Sequence, residues 1–72
     1  MLTKKPRKND ILRYKEDVYY RVMGAFKNYD SIINIQPYDI INKKDMAGDH
    51  TQIITYFVDN GKIVYNELLE EL

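Results

Sequence analysis

A chain of 72 residues, 44% of them hydrophobic, has room for one small domain with a marginal core and is too apolar for disorder. Eleven Lys and Arg against eleven Asp and Glu exclude attachment to nucleic acid by overall charge alone. No Cys, a single His and no apolar run near the ~20 residues of a membrane span exclude zinc-finger staples, thiol chemistry and a spanning helix, and a cytoplasmic protein is expected.

Residues 1–9, MLTKKPRKN, are polar, Pro-interrupted and aperiodic, and read as a flexible basic arm ahead of a single β-rich domain over 10–72. Residues 10–14 read as a short strand and the polar tripeptide 15–17 as a turn. Val18–Phe26 is rich in β-formers. Strand alternation puts Val18, Tyr20, Val22, Gly24 and Phe26 on the core face, with Gly24 marking a bulge or bend. Residues 31–36 form a third run with Ile33 and Ile35 inward, and Pro37 is expected to end the pairing or confine it to an edge. Residues 38–41 add a short extended stretch, and 42–50 read as the longest loop. Residues 51–58, TQIITYFV, are the densest β-former run and read as one strand. Asn60-Gly61 signals a tight hairpin, with Lys62–Tyr65 as the return strand. Asn66 is placed to cap a short helix over 66–72, with acids near its start.

Asp10, Ile11, Tyr14, Tyr20, Val22 and Gly24 follow a pattern that resembles the opening of many small SH3-like barrels: an acid, an apolar-x-Tyr strand, a polar turn and an aromatic-x-Val strand ending near Gly. The C-terminal IVYNELLEEL is similar to the way such barrels finish, with a strand and a helical turn. The resemblance implies a mostly β fold: a small five-stranded SH3-like open barrel, or a curled antiparallel sheet, with a short C-terminal helix. It implies a fold and not a function. The turn at 15–17 lacks the glycines of the nucleic-acid-associated KOW type. In its abundance of Lys, Asn, Ile and Tyr the chain also resembles accessory proteins of AT-rich phages.

Catalysis finds little to work with. His50 has no Cys partner, Ser31 is the one Ser, and Gly24, Gly48 and Gly61 never cluster into a phosphate loop. Asp45, Asp49 and His50 are spaced as hard-metal ligands sometimes are, but a solvated loop is the simpler reading. No enzyme, cofactor or metal is expected.

The charge is divided unevenly along the chain. Residues 1–28 carry eight bases against three acids, and 29–72 carry eight acids against three bases. Either the two halves pair within the fold, or each end steers a partner of opposite sign. The expected function is a non-catalytic module that binds another protein, such as a phage-encoded modulator or inhibitor of a host protein. Tyr19, Tyr29, Tyr38 and Tyr65 are its candidate anchors, with Glu67, Glu70 and Glu71 as an acidic face, since seven Tyr are more than so small a core can bury. Nucleic-acid binding through Lys4, Lys5, Arg7, Lys8, Arg13 and Arg21, with Tyr for stacking, is the alternative. A third reading is a structural adaptor of a phage particle. A monomer or small homo-oligomer is expected.

Overall fold

Alternating apolar residues drive the chain into strands throughout, to its C-terminal end. The computed structural model describes residues 2–26 and 28–72. It contains β1 (Ile11–Tyr14), β2 (Val18–Phe26), β3 (Tyr29–Asp39), β4 (Lys44–Asp45), β5 (Thr51–Ile54), β6 (Tyr56–Asp59), β7 (Lys62–Tyr65) and β8 (Leu69–Glu71). One antiparallel sheet runs β4-β3-β2-β1-β8, with β5 also paired to β3. Strands β6 and β7 form a separate two-stranded ribbon.

Strand β3 organises the sheet because it is long enough to hold two neighbours on its outer edge. Residues Ile32 to Ile35 pair with β5, and Tyr38 and Asp39 pair with β4. Pro37 sits between these partners. Its carbonyl accepts from Met46 N–H at 2.9 Å, so its nitrogen also faces the outer edge, and the missing donor leaves the pairing of Pro37 with Tyr20 in β2 intact. Pairing therefore continues through Pro37 to Asp39. On the inner edge the register between β2 and β3 slips between Val22 and Gly24, the irregularity expected at that glycine.

Leu2, Leu12, Val22, Ile33, Ile35 and Leu69 form the buried core, and Tyr14, Tyr20, Ile53 and Tyr65 pack against it. Burying each of these six aliphatic side chains contributes about 1.5–3 kcal/mol. Leu2 comes from the first nine residues, and the Asn9 N–H donates to Val22 O at 2.8 Å, so that segment touches the sheet near both its ends.

The expected architecture needs correction. The described residues contain no helix, the sheet is not closed into a barrel, and there are eight strands in place of five. The segment read as a C-terminal helix is a turn followed by β8. Asn66 Oδ1 does accept a nearby backbone N–H, that of Leu68 at 2.9 Å, but the bond closes a turn. Leu69 N–H then donates to Asn66 O at 3.2 Å, and β8 pairs antiparallel with β1. Two turns of helix are costly to nucleate, whereas a strand here inserts Leu69 fully into the core and extends the hydrogen-bonded sheet.

The run 51–58 is likewise not one strand. It breaks at Thr55, which is fully buried. Both its N–H and its Oγ donate to Ser31 O, at 2.7 and 3.0 Å. The chain leaves β3 at that point and enters the ribbon. Asn66 fastens the ribbon's base from the other side: its N–H donates to Thr55 O and its Nδ2 to Ile54 O, both at 2.9 Å. The hairpin turn is as expected, with Asn60 and Gly61 at φ +50° and +75°. The molecule measures 41 × 25 × 16 Å. Among the described residues no helix is long and apolar enough to cross a membrane.

Candidate docking surface

Of the residues suspected of contacting nucleic acid, Arg13 and Arg21 lie on strands of the sheet, and both are already matched by acids. Arg13 and Glu70 are cross-strand partners and form an ion pair. Arg21 grips Asp45 with both ends of its fork, Nε to Oδ1 at 2.8 Å and Nη2 to Oδ2 at 2.9 Å. Its Nη1 also reaches Asn9 Oδ1 at 3.2 Å. These hydrogen bonds hold the Asp45 carboxyl below the usual carboxylate range and raise the Arg21 guanidinium above its ordinary value. Lys5 lies 3.8 Å from Asp30. Among the described residues these three ion pairs each join the basic first part of the chain to the acidic remainder, so the two charged halves interleave there. Lys4, Arg7 and Lys8 stay exposed.

Residues 39–50 are fastened onto the sheet. Asp39 Oδ1 accepts from the N–H groups of Ile41 and Asn42 at 3.0 and 3.1 Å, and its Oδ2 accepts from Asn42 Nδ2 at 2.8 Å. The Asn42 side chain is the main reason its carboxyl also titrates low. Gln36 Nε2 donates to Met46 O and Gly48 O at 2.9 and 3.2 Å. Asp45 is thus engaged by Arg21. Among the described residues no three His, Cys, Asp or Glu gather as a metal site.

The tyrosines range from the margin of the core to solvent. Tyr14 and Tyr20 meet edge to face at 6.0 Å beside the core. Tyr56 and Tyr65 form a similar cross-strand pair at 5.8 Å, and Tyr65, a candidate anchor, is half-buried against the core. Tyr19 and Tyr38 are half-buried, and only Tyr29 is well exposed. Glu67 and Glu71 are exposed, whereas Glu70 is occupied by Arg13.

Exposed apolar residues gather on the β6–β7 ribbon. Cross-strand pairing puts Phe57 with Val64 and Asp59 with Lys62 on one face, and Tyr56 with Tyr65 and Val58 with Ile63 on the other. Large side chains stand in solvent on both: Phe57 is 53% exposed, Val58 65% and Ile63 56%, with Ile54 at 53% and Leu68 at 44% beside them. On the Phe57 side an open groove of about 420 Å³ is lined by Ile54, Phe57, Val64, Tyr65, Asn66, Glu67 and Leu68. Glu67 and Leu68 continue into a smaller polar recess that holds Arg13 and Glu70.

This surface does not emerge when 51–58 is one continuous strand. The available sign was that 56–58 and 63–65 are apolar at both parities, a pattern proper to strands covered on two sides. Here the chain itself covers neither side fully. No family model, curated protein or solved structure matches the chain, so the geometry alone carries the functional reading.

Proposed function

We propose that the chain is a non-catalytic protein-interaction module whose docking element is the β6–β7 ribbon and its groove. The observation that carries this reading is the exposure of Phe57, Val58 and Ile63 on the two faces of the ribbon, with Ile54 and Leu68 adjoining Phe57 at its groove. Contiguous apolar surface of this kind marks interaction sites on small proteins. The groove lining is mainly aliphatic and aromatic, suited to holding side chains and offering few groups for acid–base work. The sheet supplies rigidity beneath it through Thr55 and Asn66.

The test is affinity capture with tagged chain from a lysate treated with nuclease, comparing the parent with Ile63→Asp and, separately, with Phe57→Asp. Ile63 is exposed, so the variant should keep the parent's circular dichroism and melting temperature. A specific partner retained after nuclease and lost with Ile63→Asp or with Phe57→Asp supports the module. Capture that neither Ile63→Asp nor, separately, Phe57→Asp changes overturns it. Recovery that vanishes with nuclease moves the reading to the exposed Lys4, Arg7 and Lys8.

A further inference from the structure

We infer that the Phe57–Val64 face of the ribbon packs against the same face of a second copy of this chain, forming a two-fold dimer. The inference rests on the ribbon being a docking element, and it names the occupant of one of its two faces.

Three observations lead there. The first is surface area. A compact protein of 8.6 kDa exposes about 4,700 Å² by surface–mass scaling, whereas this chain exposes 5367 Å². The excess, roughly 700 Å², is surface that a compact monomer of this mass would not leave open. The second is the form of the element. A two-stranded ribbon is marginal in water without a further layer over it, and this one has an unfilled apolar groove on the Phe57 side.

The third is the arrangement of charge along that face. The free end of the ribbon carries Lys62, beside Asp59, on the same side as Val64 and Phe57. Its base carries Glu67 at the groove margin. Lys62 and Glu67 have no ion-pair partner among the described residues. Consider a two-fold axis lying in the interface, perpendicular to the strands. It stacks β7 antiparallel on β7 of the second copy, and the tip of each ribbon meets the base of the other. Lys62 then faces Glu67 of the second copy, twice by symmetry, and the Phe57 and Val64 side chains of the two copies close the apolar centre. A surface that is apolar in the middle, with Lys62 beside Asp59 at one end and Glu67 at the other, brings Lys62 onto Glu67 of the second copy under that operation. Val58 and Ile63, on the opposite face, stay available to another protein.

The experiment is sedimentation velocity of the full chain across a concentration series reaching about 500 μM, a range that registers even weak dimers. The expected result is a monomer–dimer equilibrium. Lys62→Glu or Glu67→Lys alone should weaken it about 10-fold, because two symmetry-related pairs are lost together. The double charge swap should restore it, an outcome that a folding defect does not produce. Phe57→Asp should abolish it. A chain that is monomeric throughout, or a dimer indifferent to Phe57→Asp and to both single charge reversals, overturns the inference. Either result leaves the module reading to be judged separately, by partner capture with Ile63→Asp, since Ile63 lies on the opposite face.

Discussion

At the scale of single residues, Thr55 is where a buried polar group decides the course of the chain. A threonine in a β-former run reads as one more strand residue. Nothing in the sequence reveals that its hydroxyl ends up fully buried on Ser31 O, because that depends on where β3 lies. Thr55→Val keeps the shape and removes one hydrogen bond, while the Thr55 N–H still satisfies the Ser31 carbonyl. The expected cost is about 0.5–1.5 kcal/mol. For a domain this small that is a fall of about 4–8 °C in melting temperature per kcal/mol, and urea titration with thermal melts checks it. Asp45 and Asp39 give a second residue-scale prediction. Both carboxyls titrate below the ordinary value of 3.8 in the folded chain, Asp45 through Arg21 and Asp39 through Asn42. On acidification the unfolded chain therefore takes up these protons first. The stabilisation is complete above the ordinary carboxylate value and is lost as pH falls through the depressed folded values. Melting temperature should accordingly drop on acidification through that window. The drop should be shallower in an Asp39→Asn, Asp45→Asn variant, and equal slopes would show that these two groups do not carry it.

At the scale of elements, local patterning showed where strands lie but not how far they run or where they turn. The parity of Ile33 and Ile35, the turn at 15–17 and the Asn60-Gly61 hairpin were all legible, because each rests on neighbours in sequence. The fate of 66–72 was not. Asn66, three acids and three leucines satisfy the local rules for a capped helix, and the decision fell to an unpaired edge of β1 that only the assembled sheet presents. The two arrangements treat the adjacent leucines differently. In the strand, Leu69 is fully buried and Leu68 is 44% exposed at the groove. Leu69→Ala should thus cost about 2–5 kcal/mol, and Leu68→Ala well under half of that. Hydrogen exchange gives an independent check, since Leu72 N–H donates to Ile11 O and Lys15 N–H to Leu68 O, and both amides should be protected in the parent. Equal costs for the two leucines would contradict the pairing of β8 with β1.

At the scale of the whole molecule, the opposed charges of the two chain halves do not become two charged ends, because Arg13, Arg21 and Lys5 each meet an acid from the later part of the chain. The first nine residues are part of the same integration: Leu2 lies in the core, Pro6 is buried, and Asn9 is bonded to β2 and to Arg21. Truncating them to test nucleic-acid binding would therefore remove a core side chain along with the charges. Losing Leu2 alone should cost about 2–5 kcal/mol, a large share of the 5–15 kcal/mol typical of a folded domain. The truncated chain should consequently melt far below the parent and lose any activity, whichever partner is right. Reversing only the exposed charges separates the two effects. With Lys4→Glu, Arg7→Glu and Lys8→Glu combined, the side chains changed all lie outside the core, and the melting temperature should stay within a few degrees of the parent's, as surface substitutions usually allow. If the segment contacts phosphates, fluorescence anisotropy with a labelled oligonucleotide should then show weaker binding and a shallower dependence on salt. If the ribbon alone is the binding element, the same variant should capture its protein partner as well as the parent does.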